Sequence, residues 1–486
     1  MLCRCTACEA QDASVHGKHV SASRYTNIHH SMSLEVIILA AGEGTRMYSA
    51  IPKVMHALGG KPLLAHVIDA ARTLAATAIH VVYGHGGEQV RENWAAAADL
   101  HWVLQAEQHG TAHAVMQALP AVATHAQLLV LYGDVPLIRP ATLRALVNAA
   151  DADTLALLTV ELDDPTGYGR IVRDDAGRVI KVVEQKDATA GELALREVNT
   201  GLLAAPAARL NAWLAQVGKE NVQGEYYLTD IVAIAAHDSC NVVSCQAPTQ
   251  WEVTGVNSKA ELARLERRYQ QEQAQALMAR GVTLLDPARF DLRGELEVGR
   301  DVVIDINVVL EGKVVFGNGV HIGPNNLVRN SCIGDDSNIL ANCVIEDAII
   351  GRKCRIGPFT RLRPGPELAD NVQVGNFVEI KKSRVGTGSK INHLSYVGDT
   401  VVGKNVNIGA GTITCNYDGA NKHQTIIGDN VFIGSDTQLV APVTVGEGAT
   451  IGAGSTITKD TPADALTLSR VPQRTHRGWK RPVKKK

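Results

Sequence analysis

A glycine-rich turn near the start of the chain has the residue types that bind phosphates. The stretch LAAGEGTRM at residues 39–47 follows a β-rich run, and Lys53 comes shortly after it. Glycines let a backbone approach phosphate oxygens closely and present N–H groups to them. A dinucleotide-binding turn needs a third glycine where Met47 stands, and a P-loop needs a GK[ST] sequence that this turn lacks. With Arg46 and Lys53 as added cations, the turn suits a nucleoside triphosphate.

A carboxylate stands at the end of a later strand-like run. Asp134 closes the sequence that begins at residue 127 and continues as YGDVPL from residue 132. Mg2+ prefers oxygen ligands and keeps several of its waters, so few protein ligands are needed. An aspartate after a strand can also cap a helix, which is the structural alternative. Among these neighbours we favour a magnesium ligand.

Long polar side chains cluster in the second half of the chain. They lie at residues 361–365, 376–383 and 390–399, within a region that otherwise repeats aliphatic residues and glycine. A repeat that only packs needs small residues at its corners, so this cluster predicts a site. A single histidine is more often structural. His393, inside the sequence HLSY and following Glu379 and Lys381, is instead the candidate for proton transfer near neutral pH.

Composition limits the class of protein. The chain has 486 residues, which predicts two or more domains. Its 48 Lys+Arg nearly balance 50 Asp+Glu, which argues against a nucleic-acid binder held by its overall charge. The longest apolar runs fall far short of the ~18 residues of a membrane-spanning helix. Nine cysteines spread thinly over the chain do not suggest a disulfide framework, so we predict a cytoplasmic protein.

The first 31 residues differ from the rest. They carry Cys3, Cys5 and Cys8 together with histidines, but the C-x-C-x2-C spacing matches no standard zinc site. Met32 stands immediately before the first strand-like run. We therefore interpret residues 1–31 as a disordered leader.

The elements that must position the first set of residues alternate between strand and helix. Strand-like runs lie at residues 35–40, 78–83, 101–105, 127–132 and 155–160, and helical patterns at residues 63–74, 111–119 and 141–149. This alternation predicts an α/β, Rossmann-like domain of βαβ units with a mainly parallel sheet. Ligands of such sheets bind beyond the carboxyl ends of the strands.

The rest of the chain has two further patterns. Residues 258–280 read as a connecting helix that stops at Gly281. From residue 298 onward, Val-Gly or Ile-Gly dipeptides recur mostly at multiples of six. This period is typical of a hexapeptide β-helix, in which the aliphatic residue fills the axis. At the usual strand spacing it predicts roughly nine coils and a rod ~40 Å long.

The motifs of the first half resemble those of sugar-1-phosphate nucleotidyltransferases. Beyond residues 39–47 and Lys53, the resemblance continues through residues 105–112, 132–134, 167–170, 184, 199–201 and 256–257. It implies catalytic roles for Arg46 and Lys53 and ligation of Mg2+ by Asp134 and Asn257. In that chemistry a sugar-phosphate oxygen attacks the α-phosphorus of a triphosphate, and pyrophosphate leaves.

The resemblance also implies which residues hold the nucleotide sugar. The nucleotide is expected to contact Leu39, Ala40, Ala41, Gly42, Gln105, Gln108, Gly110, Thr111, Tyr132, Gly133, Asp134 and Asn257. Paired glutamines suit uracil, which offers both a donor and acceptors. The acetamido sugar is expected to contact Gly169, Glu184, Asn199 and Thr229. Thr229 can equally be the cap of a helix that starts there.

With the second half included, residues 34–470 closely resemble the bifunctional N-acetylglucosamine-1-phosphate uridylyltransferase / glucosamine-1-phosphate N-acetyltransferases of bacterial cell-envelope synthesis. That family implies a left-handed parallel β-helix that uses acetyl-CoA. It also implies His393 as the base, with Arg363, Lys381, Tyr396 and Asn407 binding the sugar phosphate or stabilising the developing oxyanion.

The same family implies an acetyl-CoA site and a homotrimer whose neighbouring chains complete it. The expected acetyl-CoA contacts are Ala410, Asn416, Tyr417, Ser435, Ala453 and Arg470. Residues 416–422 depart from the six-residue period and predict a loop that leaves the coil. The basic tail, residues 471–486, is either solvated or folds over the coenzyme phosphates.

These patterns divide the chain into a nucleotidyltransferase domain at residues 32–257, a linker helix at 258–281, a β-helix at 282–470 and the tail. The expected partners are small molecules and copies of the same chain. Two alternatives remain: a monofunctional nucleotidyltransferase with a structural β-helix, and a non-catalytic scaffold of the translation-factor-subunit type. The scaffold is expected to lack intact Arg46, Lys53 and Asp134, and all three are present.

Overall fold

The first half of the chain is built around a mainly parallel β-sheet. The computed structural model describes residues 33–42, 44–84 and 87–484, so the predicted leader at residues 1–31 lies outside the described residues. The strands are β1 (Leu34–Ala40), β2 (Ala57–Leu58), β3 (Lys61–Pro62), β4 (Ala78–Gly84), β5 (Leu100–Gln105), β6 (Gln127–Tyr132), β7 (Thr154–Glu161), β8 (Arg170–Arg173), β9 (Val179–Val183), β10 (Glu197–Pro206) and β11 (Asn241–Gln246). The helices are α1 (Leu63–Arg72), α2 (Glu88–Glu92), α3 (Thr111–Ala118), α4 (Pro140–Ala149), α5 (Ala190–Leu193), α6 (Ala207–Leu214) and α7 (Asp230–His237).

The sheet has the order β11-β7-β10-β6-β1-β4-β5. Strand β1 is parallel to both β4 and β6, whereas β10 runs antiparallel to β6 and β7. Val36, Ile37 and Ile38 in β1 have no exposed surface, as expected for a strand covered by helices on both faces. The predicted α/β architecture is confirmed, and the strands and helices predicted from periodicity differ from the observed ones only at their ends.

The carboxyl ends of β1 and β6 meet at one edge of the sheet, where the glycine-rich turn and Asp134 follow them. Strand β10 contributes Gly201 to the same edge, inside a shift of register between Asn199 and Leu203. Gly201 has φ +85°, and a Cβ there would lie 2.5 Å from the Tyr132 ring. Only glycine suits both the conformation and the space.

A single long helix joins the two halves. Helix α8 (Lys259–Ala279) starts after Ser258, whose side chain accepts a hydrogen bond from the Glu261 backbone, and it ends before Gly281 at φ +92°. Gln270 on this helix is 1% exposed; its amide oxygen accepts from Leu292 N at 2.7 Å and its nitrogen donates to Leu292 O at 2.9 Å. Because Leu292 lies in the first part of the next domain, these bonds attach the helix to it.

The second half consists of short strands in parallel coils. The strands are β12 (Thr283–Leu284), β13 (Phe290–Val298), β14 (Val303–Ile304), β15 (Val308–Phe316), β16 (His321–Ile322), β17 (Leu327–Arg329), β18 (Cys332–Ile333), β19 (Asn338–Ile339), β20 (Val344–Glu346), β21 (Ile349–Ile350), β22 (Arg355–Ile356), β23 (Arg361–Leu362), β24 (Glu367–Leu368), β25 (Gln373–Asn376), β26 (Glu379–Lys381), β27 (Arg384–Val385), β28 (Lys390–His393), β29 (Tyr396–Gly398), β30 (Thr400–Val402), β31 (Asn407–Ile408), β32 (Ile413–Cys415), β33 (Thr425–Ile427), β34 (Phe432–Ile433), β35 (Gln438–Val440), β36 (Val443–Val445), β37 (Thr450–Ile451), β38 (Thr456–Ile457) and β39 (Leu466–Thr467).

These strands form the left-handed parallel β-helix that the six-residue period predicts. One face is an eleven-stranded sheet from β12 to β39, and a seventeen-stranded sheet forms the remainder. The nine coils expected over residues 298–460 match the nine strands from β14 to β37 in the first sheet, and β12 and β39 extend the stack beyond that span. The stack already begins where β12 pairs with β14, because Leu284 and Leu292 fill the axis without a following glycine. Eleven strands at the usual spacing span about 48 Å.

The close stacking of coils gives a test of the repeat. A Cβ at Gly375 would lie 2.0 Å from the backbone oxygen of Asn392 in the next coil. We expect Gly375→Ala to lower the free energy of unfolding of the β-helix by about 1–3 kcal/mol, because the coils have to move apart. Urea denaturation followed by circular dichroism measures this change.

The control is Gly191→Ala in α5, where nothing lies within 4 Å of the added methyl group. Alanine favours a helix, so this variant is expected to be neutral or slightly stabilising. Equal stability of the two variants would contradict the packing described for the coils.

Candidate active sites

A cavity of about 650 Å3 opens at the carboxyl ends of β1 and β6. It collects most of the nucleotide-site residues expected from the sequence. Those that line it are Leu39, Ala40, Ala41, Gly42, Arg46, Lys53, Gln105, Gln108, Gly110, Thr111, Tyr132, Asp134 and Asn257. Gly133 is not among the lining residues; a Cβ there would lie 3.1 Å from the side chain of Leu64. Its small size therefore serves the packing of the cavity floor.

Lys53 joins the two expected magnesium ligands. Its ammonium forms a short ion pair with Asp134 and donates to the amide oxygen of Asn257 at 3.2 Å. Lys53 and Asp134 are both largely buried. A carboxylate and an amide oxygen that converge on one positive charge are the kind of oxygen donors that Mg2+ takes, and Mg2+ completes its shell with water and substrate phosphates. The donor set therefore fits Mg2+.

The loop before α3 is fixed by backbone and side-chain contacts. Gln108 donates from its amide to the backbone oxygen of Ala41 at 2.6 Å, which ties this loop to the glycine-rich turn. Gly110 has φ +109°, and a Cβ there would lie 2.5 Å from the backbone oxygen of Tyr226. The Thr111 hydroxyl accepts from Leu228 N at 3.0 Å. The expected base-binding residues thus form one rigid wall of the cavity.

The four residues expected to hold the acetamido sugar form a connected group beside Tyr132. Thr229 donates to the Glu184 carboxylate at 3.1 Å, and Asn199 N donates to Gly169 O at 2.9 Å. A Cβ at Gly169 would lie 3.3 Å from Glu184 Oε1. Burial raises the pKa of Glu184, although its hydrogen bond from Thr229 opposes the shift. These four residues are therefore close to one another, with Gly169 and Asn199 taking part through their backbones.

The sequence left open whether Thr229 contacts the sugar or caps the helix that follows it. Helix α7 does begin directly after Thr229, but the Thr229 side chain makes no cap hydrogen bond and faces Glu184 instead. Tyr132 connects the group to the cavity: burial raises the pKa of its phenol, and the Glu184 and Asp134 carboxylates add to the shift. The phenol therefore stays protonated between two anions.

The linker helix adds charged residues to the cavity that the sequence did not single out. Glu261 and Arg264, one turn apart on α8, line it. Glu261 accepts from the backbone N–H of Asn257 at 2.7 Å. Within the described residues, no carboxylate pairs with Arg264. Arg264 could not be singled out from the sequence, because Arg267 and Arg268 follow it on the same helix and no sequence pattern separates the three arginines.

The expected base of the second half lies at a corner of the β-helix. His393 ends β28, and Asn376 ends β25, directly opposite it. The Nδ1 atom of His393 is 2.9 Å from the side-chain oxygen of Asn376. An amide oxygen only accepts, so Nδ1 carries the proton and Nε2 has a lone pair. The imidazole is exposed and thus accessible as a base.

The expected sugar-phosphate residues lie on the next face, past the corner formed by Leu394 and Ser395. Arg363 donates to Glu379 at 2.9 Å, and Lys381 lies 3.9 Å from Asp399. Lys422, which the sequence did not single out, comes close enough to lower the pKa of Lys381, and burial adds to this shift. Crowded cations of this kind favour a phosphate dianion.

Other expected residues complete this face. Asn416 is buried; its amide nitrogen donates to the Asp399 carboxylate and lies 3.4 Å from the Tyr396 hydroxyl. Asn407 lies in β31, next to the strand of His393, and so belongs to the histidine face. The predicted sugar site therefore spans both faces that meet at this corner.

The residues expected to contact acetyl-CoA follow the same corner toward the carboxyl end. Asp436 N donates to Ala410 O, and Gly454 N donates to Ser435 O in the next coil. Arg470 donates to Ala453 O at 2.7 Å. These contacts place Ala410, Ser435, Ala453 and Arg470 in a line along successive coils. The tail from residue 471 to residue 484 is exposed and contains no helix or strand.

The predicted loop leaves the coil where the period breaks. Hydrogen bonds from backbone N–H groups to aspartate side chains of the next coil join residues 17 or 18 positions apart, whereas Lys404 N donates to the side chain of Asp429, 25 positions on. The extra residues form a small hairpin closed by a bridge between Tyr417 and Lys422. Tyr417 is exposed on it, beside the buried Asn416.

An apolar ridge stands on this corner before the acetyl-CoA line. It consists of Phe359, Phe377 and Leu394, which are 48%, 56% and 62% exposed, and the two phenylalanine rings stack at 5.2 Å. All three have positive φ, as does Asn342 one coil earlier. A bulky residue in this conformation costs ~1–2 kcal/mol, so the ridge is not explained by the needs of the coil.

Comparisons with known proteins agree with this division. Residues 36–219 match the MobA-like NTP transferase domain, residues 292–366 the GMPPB C-terminal domain, and residues 424–459 the bacterial transferase hexapeptide (six repeats). Among solved structures, a nucleotidyl transferase from Methanothermobacter thermautotroptrophicus covers 49% of this chain and 97% of its own, at 19% identity and a TM-score of 0.37. That likeness is too distant to support an argument.

Curated relatives match nearly the whole chain. The Bifunctional protein GlmU of Azoarcus sp. (strain BH72) is 59% identical over 453 residues, which is 93% of this chain and 100% of the relative. The Bifunctional protein GlmU of Ralstonia nicotianae (strain ATCC BAA-1114 / GMI1000) is 58% identical, covering 93% of this chain and 99% of the relative. Both halves of the chain are included in these matches, which favours two activities over a single one with a structural β-helix. The chain therefore belongs to the family of the bifunctional GlmU proteins.

Proposed function

We propose that the chain uses its two sites in sequence, acetylating glucosamine-1-phosphate at the β-helix corner and coupling the product to UTP in the cavity. The chain is a bifunctional enzyme with acetyltransferase and uridylyltransferase activities. The assignment of each activity to its site rests on one observation in each half of the chain. In the first half, Asp134 and Asn257 converge on the ammonium of Lys53. In the second half, the hydrogen bond to Asn376 fixes which ring nitrogen of His393 carries the proton.

Uridylyl transfer needs positioning and charge neutralisation more than covalent chemistry. We assign neutralisation of the triphosphate to Arg46 and Lys53, with Arg264 as a further cation at the cavity wall. Asp134 and Asn257 would hold Mg2+, which when bound offsets charge on the phosphates. Glu184 and Thr229 would bind the acetamido sugar, and the buried wall around Gln105 would bind uracil.

Acetyl transfer requires the amine of the sugar to lose a proton as it attacks the thioester of acetyl-CoA. The Nε2 lone pair of His393 takes this proton, and Asn376 keeps the other nitrogen protonated. Arg363, Lys381 and Lys422 supply positive charge for the sugar phosphate. The line of Ala410, Ser435 and Ala453 supplies backbone contacts for the coenzyme along the same corner.

We also propose a homotrimer, with a second copy of the chain covering the ridge of Phe359, Phe377 and Leu394. Apolar side chains at positions where other coils have asparagine or glycine support an interface. Since the ridge lies beside His393, a neighbouring chain would complete the acetyltransfer site. We further propose a cytoplasmic role in cell-envelope precursor synthesis, in keeping with the buried thiols of Cys343 and Cys354, which form no disulfide.

The two activities are expected to separate by mutation. Asp134→Asn removes the carboxylate that faces Lys53, and we expect uridylyl transfer to fall by about 100-fold or more, with acetyl transfer unchanged. His393→Ala is expected to do the reverse, because it removes the proposed base. Pyrophosphate release and free-thiol release, assayed on the same preparations, measure both. Loss of both activities in either folded variant would contradict two independent sites.

The contact between Asn376 and His393 predicts a change in pH dependence. Asn376→Asp keeps an acceptor for Nδ1–H but adds a negative charge, which stabilises the protonated imidazole and raises its pKa. Because the base must be neutral, the acidic limb of the acetyl-transfer profile is expected to move to higher pH. Asn376→Ala is expected to lower kcat about tenfold through loss of orientation. An unchanged pH profile in Asn376→Asp would show that the contact between Asn376 and His393 has no influence on acetyl transfer.

The ridge can be tested without straining the coil. Asparagine occupies the matching position at Asn342, so the triple variant Phe359→Asn, Phe377→Asn and Leu394→Asn keeps a residue suited to positive φ. We expect it to dissociate in analytical ultracentrifugation and to lose acetyl transfer, with uridylyl transfer retained. Ile349→Asn, at an exposed position on another strand, is the control. A stable trimer in the triple variant would refute the ridge as the interface.

A further inference from the structure

The side-chain amide of Gln105, in the nucleotide cavity, is held in one orientation by residues outside the space where a ligand would bind. Gln105 is 3% exposed and lines the cavity. Its amide nitrogen lies 3.3 Å from the backbone oxygen of Gly110 and 3.1 Å from Nδ1 of His113. A backbone oxygen only accepts, so the nitrogen of Gln105 must face it. Consequently Nδ1 of His113 must also be an acceptor, and its bond is the shorter of the two.

His113 is held as a neutral ring with that lone pair. It lies on α3, and its Nε2 is 3.1 Å from the amide nitrogen of Gln117, a group that only donates. A neutral ring accepts at one nitrogen only. With Nδ1 held by Gln105, whose orientation Gly110 fixes, Nε2 carries the proton and the Gln117 amide has to present its oxygen there. The rings of His109 and Tyr226 lie against it at 5.2 and 6.4 Å. Burial lowers the pKa of His113, and the charges of His109 and Lys219 add to this, whereas the backbone oxygen and the charge of Glu107 oppose it. At neutral pH the ring therefore accepts at Nδ1 and donates at Nε2.

The orientation of the Gln105 amide determines which of its groups faces a ligand in the cavity. Both N–H groups of its amide are engaged, by Gly110 and His113, and among the described residues no donor contacts its Oε1. The group left for the cavity is an acceptor. Uracil has an N–H at ring position 3, whereas cytosine has a lone pair there, so an acceptor binds the first and repels the second.

We propose that His113 is a positioning residue that sets nucleobase choice, by holding the Gln105 amide so that its oxygen selects uracil over cytosine. This inference rests on the proposed function, in which Gln105 faces the base of the triphosphate. His113 does not line the cavity, so it acts only through Gln105. A site built around one hydrogen-bond pattern rejects an analogue with the opposite pattern, because a buried polar group is then left unpaired.

The test compares kcat/KM for UTP and CTP in the full-length protein. In His113→Leu the amide loses its partner and can turn, and we expect the UTP:CTP ratio to fall about tenfold, the equivalent of one hydrogen bond. In His113→Asp an acceptor is retained, at a position in the first turn of α3 where a carboxylate is tolerated, and the ratio is expected to stay near that of the unmodified protein. His109→Leu, which removes the neighbouring ring that does not contact Gln105, is the matched control.

Acetyl transfer in each variant reports that the protein is folded. If His113→Leu keeps the original ratio, the inference is wrong while the proposed function stands. If the unmodified protein does not use UTP, the proposed function fails first. These two failures are therefore distinguishable.

A second measurement needs no variant. Protonation of His113 turns Nδ1 into a donor, and because burial lowers its pKa this happens only below the ordinary histidine range. The ratio of UTP to CTP affinity in the unmodified protein is therefore expected to be constant down to about pH 6.5 and to fall below it. Equilibrium competition binding measures this ratio, in which the titration of the phosphates common to both nucleotides cancels. A ratio that stays constant down to about pH 5, or that already falls between about pH 7.5 and about pH 6.5, would overturn the inference even if His113→Leu failed to fold.

Discussion

Every coil of the β-helix has to turn at a residue in the left-handed conformation, and this constraint decides where the second site lies. At one corner that residue is asparagine in the early coils, then Phe359, Phe377 and Leu394, and then Gly411. The strand before this corner ends at His393 and the strand after it begins at Tyr396. Because strands in a β-helix are stacked in register, whatever follows that corner is repeated every 17 or 18 residues along one straight edge. The base, the apolar ridge and the proposed coenzyme contacts are therefore collinear.

The site in the first half differs from this one because it has to bind the anionic phosphates of a nucleotide. Its cavity lies at the carboxyl ends of strands that are buried on both faces, and many polar side chains line it, among them Arg46, Gln105 and Glu261. The Lys53 ammonium and the Asp134 carboxylate neutralise each other, and the Asn257 amide oxygen accepts a hydrogen bond from Lys53. Helix α8 starts directly after Asn257, contributes Arg264 to the cavity and is fastened by Gln270 to the first coil. The connection between the halves is thus also part of the nucleotide site.

Local patterns in the sequence were sufficient for the elements and for much of the nucleotide site. Strand β1, with its continuous apolar run, and the repeats of the β-helix each satisfy a short-range rule of burial or period. The glycine-rich turn and Asp134 could be identified because a strand end places them at a known edge of the sheet. The glycine repeat itself begins only at residue 298, because Leu284 fills the axis without the glycine that marks later repeats, although the β-helix domain was expected from residue 282.

Side chains that matter through register or tertiary contact could not be predicted in this way. Asn376 meets His393 only because their strands are paired, and Lys422 reaches Lys381 only because a loop leaves the coil. Arg264 is one of several cations on a charged helix until the fold turns it toward the cavity. His113 acts through Gln105, and the orientation of an amide is not encoded in a local pattern. Chemistry of this kind has to be read from distances.

Hydrogen exchange with and without coenzyme A tests most directly whether one corner of the coil carries the acetyl-transfer site. The account predicts that the coenzyme slows exchange at residues 409–411, 434–436 and 452–454 and around His393, which share this corner, and leaves the other corners of the same coils unchanged. Protection spread evenly over all corners, or confined to another one, would contradict the account.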